Sequence, residues 1–208
     1  MSIDAQTFPK KSKTLWLSLV SAIALLLAML LQWNIIDTLT PFLALPLIGL
    51  LWLIMGLTAL WSLGYAYRYR KEGFPAFMPS AVAIGAILLA IYIPFTDIWL
   101  YANFHLKQDA RSVIVEKIRA GELTPNVDHN HKAIFLPGYG VSNGDRVLVE
   151  GERNNPYVFF FTFRGILDSY SGFLWVPEGG EPSKFSDAWE PGTQIKHYGD
   201  HWYFIGHR

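Results

Sequence analysis

The sequence predicts a membrane α plus α+β protein: three transmembrane helices, then a small extracytoplasmic domain of one helix and a five- or six-stranded antiparallel sheet. Three observations lead there. The runs Thr14–Ile36, Thr38–Tyr67 and Phe74–Thr96 contain no Asp, Glu, Lys or Arg. Composition then changes sharply near Phe95–Tyr101. Beyond Pro125, short β-type segments alternate with turn residues.

Each run is long enough to cross a hydrocarbon core of roughly 30 Å, which takes about 20 apolar residues at helical rise. The expected spans are about 15–36, 42–66 and 76–97, within an anchor of residues 1–101 that precedes a domain of residues 102–208. The first run exceeds the usual 7–15-residue core of a signal peptide. No small-x-small site precedes Gln32-Trp33-Asn34, so it reads as an uncleaved signal anchor. Pro41 and Pro46 place the start of the second helix around Phe42, with a tilt or kink there. Gly49, Gly56 and Gly64 fall near one helical face, either for packing within the three-helix unit or for docking onto another membrane protein. Trp16, Trp33, Trp99 and Tyr101 lie near span ends, where amphipathic rings anchor at headgroups. No ionisable residue interrupts a span interior, which argues against transport by this chain alone.

Basic residues in short loops mark the cytoplasmic side. Lys10, Lys11 and Lys13 precede the first span; Arg68, Arg70 and Lys71 fill the loop between the second and third. The Ile36–Thr40 loop carries only Asp37. The N-terminus is therefore expected in the cytoplasm of a bacterium, with the C-terminal domain periplasmic or extracellular and the anchor in the cytoplasmic (inner) membrane. Zero net charge conceals an asymmetry: residues 1–96 carry six basic and three acidic groups, and residues 97–208 carry 11 basic and 14 acidic. A mildly acidic domain lacks the clustered cations that nucleic acid requires. The absence of cysteine excludes disulfides, thiolate metal sites and thiol nucleophiles.

Leu106, Ala110, Ile114 and Ile118 repeat every four residues, with Val113 alongside, which predicts a helix over Leu106–Ala120. Lys107, Arg111, Lys117 and Arg119 are expected to point away from its apolar face. Gly121 is a natural C-cap and Pro125 prevents continuation. This helix either extends the third span directly or bends from it near Asn103. The expected strands are Lys132–Leu136, Arg146–Glu150, Tyr157–Arg164, Gly172–Val176, Gln194–Tyr198 and Trp202–Ile205. Turn residues separate them at Ser142-Asn143-Gly144-Asp145, Asn154-Asn155-Pro156 and Glu178-Gly179-Gly180. In the third strand Tyr157, Phe159, Phe161 and Phe163 share one face and Val158 and Phe160 the other, as suits the centre of a sheet. Phe173, Trp175, Trp202 and Phe204 are expected in the same core.

The stretch Phe161-Thr162-Phe163-Arg164-Gly165-Ile166-Leu167-Asp168-Ser169-Tyr170-Ser171-Gly172-Phe173, followed by Asp200-His201-Trp202-Tyr203-Phe204, resembles a C-terminal domain found in a loose group of bacterial proteins. That group shows an aromatic-Arg-Gly step, a Ser-Gly-aromatic strand and a closing Trp-Tyr pair. The resemblance covers roughly the last half of the chain; it implies a bacterial origin and a β-rich domain, and it transfers no activity.

Gly140-Val141-Ser142-Asn143-Gly144 matches the G-x-S-x-G of a nucleophile elbow, but a strand pattern follows it where the elbow requires a helix. It reads as a hairpin loop. His129 and His131 form a His-x-His pair, and His197 and His201 stand four apart; together they are the candidate metal ligands. Arg164 and Asp168 flank a tight segment, either as a structural ion pair or as an anion- or partner-binding site at the end of the sheet. The acidic loop Glu178–Pro191 holds Phe185 and Trp189, which either contact a partner or pin the loop to the sheet. With no nucleophile–base pair and no phosphate cradle in sight, the leading expectation is a non-enzymatic, cofactor-free module. It is anchored in the lipid bilayer and binds another envelope or membrane protein, as an envelope-complex accessory subunit or an immunity protein. The alternatives are a metal-dependent extracytoplasmic enzyme using the four histidines, and an envelope sensor signalling laterally through its helices.

Overall fold

In lipid every backbone N–H and C=O needs an internal partner, which leaves an apolar chain little choice but helix. The computed structural model describes residues 10–164, 170–185 and 193–207 and divides the chain into two compact units, Met1–Trp99 and Leu100–Arg208. The first unit holds α1 (Lys10–Leu30), α2 (Gln32–Arg68) and α3 (Met78–Tyr92). Helical bonding carries through the junction of α1 and α2, since Leu31 N–H donates to Leu27 O and Ile35 N–H to Leu31 O, both at 2.9 Å. The chain leaves helical geometry instead at Thr40, with φ 65° and ψ 157°. The loop expected over Ile36–Thr40 thus contracts to one residue. Pro41 explains the position: its ring disfavours helical geometry in the preceding residue and is pre-set for the first helical one.

A second proline divides the third apolar run. Helix α3 ends at Tyr92, Ile93 is extended, and α4 (Phe95–Ala120) begins just after Pro94. The break lies well before Asn103, and the expected span over 76–97 is two helices. Two helical segments, Lys13–Leu30 and Gln32–Arg68, are long and apolar enough to cross a membrane; a third crossing requires counting α3 and α4 as one broken span.

Helices α1, α2 and α3 pack around Ala22, Leu25, Met55, Ala59, Ala83, Ala86 and Ala90. Small side chains let helices approach closely where lipid supplies no hydrophobic drive. A buried 3.3 Å hydrogen bond between the hydroxyls of Ser21 and Thr58 ties α1 to α2. Gly49, Gly56 and Gly64 take no part, because a Cβ built on any of them meets nothing within 4 Å. Alanine, not glycine, makes the packing face.

In the second unit six antiparallel strands run in the order β1-β2-β3-β4-β6-β5: β1 Ala133–Phe135, β2 Arg146–Glu152, β3 Asn155–Arg164, β4 Tyr170–Trp175, β5 Thr193–Gly199 and β6 Trp202–His207. All six expected strands are present. The β2–β3 hairpin pairs Glu152 with Asn155, so Asn155 and Pro156 belong to the strand and not to the turn. Strand β3 is interior and apolar on both sides. One face groups Phe159 and Phe161 with Leu174, Val176, Phe185 and Ile205. The other places Phe173 and Trp202 against Phe104 of α4, at ring distances of 5.1 and 5.9 Å. Phe173 and Trp202 therefore occupy a different core from Phe159, contrary to expectation, because they alternate with Leu174 and Ile205 across the pleat. Register shifts between Phe161 and Phe163, which leaves Phe163 only half-buried and off the expected stripe.

Gly121 has φ 74° and closes α4 as expected: its N–H donates to Ile118 O, and Glu122 N–H reaches Lys117 O, the paired bonds of a Schellman cap. Gly172 is required for a different reason. A Cβ there would stand 2.1 Å from Phe160 O and 2.6 Å from the Phe159 ring. Gly172→Ala must push two strands apart, and we expect it to cost about 3 kcal/mol or more of unfolding free energy in detergent. Thr40→Gly should act in the opposite sense. Removing a β-branched residue from positive φ is expected to raise resistance to thermal or denaturant unfolding by about 1 kcal/mol.

Candidate functional site

Helix α4 must satisfy the sheet with one face, and the face it uses is not the one its fourfold apolar repeat suggests. Phe104, Arg111, Ile114, Val115 and Ile118 are buried, whereas Leu106, Ala110 and Val113 are exposed. The two sets share Ile114 and Ile118, so periodicity alone does not choose between them. The choice falls to Phe104, whose ring meets Phe173, Tyr198 and Trp202. An aromatic ring offers more apolar area to bury than Leu106 does.

This rotation takes Arg111 inside, where it is 1% exposed. Its Nε donates to Val141 O at 3.0 Å, one terminal nitrogen to Asn103 Oδ1 at 2.7 Å and the other to Asn103 O at 3.4 Å. The guanidinium carbon lies 4.8 Å from the centre of the Phe173 ring and 6.0 Å from that of Phe160. No carboxylate among the described residues pairs with it. Burial lowers its pKa well below the ordinary value, to about 9, so the group remains a cation at neutral pH. Between about 9 and its ordinary value the unfolded chain holds the proton more tightly, and this group makes stability rise with pH there.

The opposite side of α4 carries the complementary surprise. Leu106 is 85% exposed and Val113 is 53% exposed. With exposed Ala102 and Ala110 they form one stripe at intervals of four, four and three residues. Lys117 marks its end, its ammonium 5.7 Å from the ring of half-exposed Tyr139. A chain that buries a cation and presents leucine and valine on the same helix has an apolar surface available for contact.

The described members of the expected site set fall on separate elements of the second unit. Phe185 is fully buried, stacked on Phe159 at 5.4 Å and 18°, so it pins the loop and is not a surface contact. In the strand order β6 sits between β4 and β5, so this loop joins two strands that are not neighbours. Asp168 and Trp189 lie outside the described residues. Arg164 is exposed at the end of β3, with its guanidinium 5.1 Å from the Phe161 ring. His129 and His131 are exposed beside the isolated Val127–Asn130 bridge. His197, on β5, packs against Tyr203 at 4.9 Å. In the β5–β6 turn, His201 Nδ1 lies 3.0 Å from Val176 O. Among the described residues no three His, Asp or Glu side chains converge on a point that could hold a metal.

Ser142 of the G-x-S-x-G match is buried and fully engaged. Its hydroxyl donates to Arg146 O and accepts the Phe161 N–H, the latter at 2.8 Å. It fastens the loop to the sheet, as a hairpin-loop residue should. The neighbouring carbonyl of Val141 is the one that solvates Arg111, so a single loop serves both interactions.

Comparison with known proteins gives no match, whether with a family model, a curated protein or a solved structure. The geometry around Arg111 is directly testable. Arg111→Ala removes the guanidinium donors from Val141 O, Asn103 O and Asn103 Oδ1 and opens a cavity, and should cost about 4 kcal/mol in denaturant unfolding of the full chain. Arg111→Lys keeps the charge but loses the fork that spans Val141 and Asn103, and should cost about 2 kcal/mol.

Proposed function

We propose that the chain is a membrane-anchored protein-binding module, acting on the extracytoplasmic side of a bacterial cytoplasmic membrane. In this reading it is an accessory subunit of an envelope complex or an immunity protein, and it is not an enzyme. The observation that carries the reading is the α4 stripe, with Leu106 85% exposed on a helix whose only fully buried charge is Arg111. Solvation favours the reverse arrangement, so an apolar stripe kept outward has its rationale in a partner that covers it. A helix presenting apolar residues at such spacing suits an apolar or amphipathic helix of a second envelope protein.

The proposed topology has three crossings, with α3 and the start of α4 forming the third. Its support is the distribution of Lys10, Lys11, Lys13, Arg68, Arg70 and Lys71, which all mark one side. On that basis the sheet-bearing unit lies on the other side. Outward Gly49 and Gly56 of α2 offer a flat strip for lateral contact with another membrane helix in the same assembly.

The test is site-specific photocrosslinking in the native host. A photoreactive residue at Leu106 should give a discrete protein adduct, absent when the probe replaces Glu152 in the β2–β3 hairpin. Leu106→Asp with Val113→Asp should lower partner capture in mild detergent by at least about tenfold. Adducts of equal yield at both positions, or adducts at Leu106 with lipid alone, would overturn the reading.

A further inference from the structure

A groove of about 960 Å³ opens between the N-terminal end of α1 and the C-terminal end of α2. Lys13 comes from α1 and Arg68 from the last turn of α2, and both line it. Both cations are exposed, and neither has an ion-pair partner among the described residues. The buried hydroxyl-bearing residue Thr14 also contributes to the wall. Deeper along the helices the lining turns apolar with Leu57 and Leu60, both well exposed. Gly64 keeps the floor open, since a Cβ there meets nothing within 4 Å.

The groove is thus cationic at its mouth and aliphatic along its length. It belongs to helices apolar enough to cross a membrane, at an end where Trp61 and Tyr65 also line the wall. Amphipathic rings favour headgroup depth, and basic pockets between membrane helices attract anionic headgroups. A soluble anion has no use for the leucine wall; a neutral lipid has no use for the paired cations.

We infer that this groove is a site for one anionic glycerophospholipid, its phosphate between Lys13 and Arg68 and an acyl chain along Leu57 and Leu60. The site is separate from the α4 stripe, and its occupancy does not depend on the partner proposed above.

The full chain, reconstituted in phosphatidylcholine bilayers, is titrated with brominated phosphatidylglycerol or brominated phosphatidylcholine while tryptophan quenching is read. Wild type should prefer the anionic lipid by roughly tenfold, given two cations near the surface. Lys13→Gln with Arg68→Gln should bring the preference close to one, and Lys13→Arg with Arg68→Lys should retain it. Gly64→Leu fills the groove without changing charge and should also reduce the preference, so the inference does not rest on the charge variants alone. Equal quenching by both lipids in wild type, or a preference unchanged in both the neutral pair and Gly64→Leu, would overturn it. Loss of the preference in millimolar inorganic phosphate at constant ionic strength would also overturn it, by assigning the site to a free anion.

Discussion

A guanidinium taken out of water must be resolvated by the protein, and much of the second unit is arranged to do so for Arg111. Desolvating a charge costs several kcal/mol even after relaxation. Here the compensation comes from two carbonyl-type oxygens of Asn103, the carbonyl of Val141 and the face of Phe173. Each compensating group fixes a different part of the fold. Asn103 lies two helical turns before Arg111 on α4, so the helix must remain straight between them. Val141 belongs to the loop between β1 and β2, which must come down onto the helix. Phe173 sits on β4 and sets the depth of the sheet beneath it. One buried charge thereby positions helix, loop and sheet together.

A second constraint explains why the sheet needs two covers. Strand β3 is apolar on both faces, so neither face can be left to water. Helix α4 covers the Phe160–Phe173 side through Phe104, Ile114 and Ile118. Phe185, in the segment after β4, packs on the other against Phe159. Gly172 lets β3 and β4 approach without a side chain in between, close enough for the Phe159 ring to lie over the bare backbone. That contact gives a physical reason for glycine in the Ser-Gly-aromatic step noted in the sequence.

Strands were legible because each was bounded by turn residues and rich in aromatic and β-branched side chains, which needs no knowledge of neighbours. Helices were legible for the same local reason, and both prolines that break them, Pro41 and Pro94, stand in plain view. Their consequences were harder to read. Asp37 suggested a loop where the chain stays helical, because one charged residue near a span end is compatible with either. The candidate site was least legible of all. Arg111 sits in a sequence where the alternative face, Leu106-Ala110-Ile114-Ile118, has the cleaner repeat. Only the three-dimensional demand of Phe173, Tyr198 and Trp202 for an aromatic partner selects Phe104 and turns the arginine inward. The signal available in the sequence was Phe104, Arg111 and Ile118 at intervals of seven, a spacing also consistent with one helical face. The histidines show the same gap between type and place: His129 and His131 lie in a loop, His197 on a strand and His201 in a turn, and among the described residues no three His, Asp or Glu groups converge.

An apolar stripe as short as Ala102-Leu106-Ala110-Val113 is far smaller than the roughly 800 Å² per partner of a standard stable interface. In dilute solution such a contact would be weak. Anchoring changes that arithmetic. Two proteins held in one membrane meet as tethered groups do, at an effective concentration that reaches the millimolar range for short linkages. A contact with an intrinsic dissociation constant near 1 mM, worth about 4 kcal/mol, is then substantially occupied without further surface. On the proposed reading the helices do more than retain the protein at the membrane. They make a small surface sufficient, which leaves the rest of the sheet free to be committed to its own two cores. The binding face then comes from α4, whose inward side is already occupied by Arg111 and whose outward side leaves Leu106 and Val113 exposed.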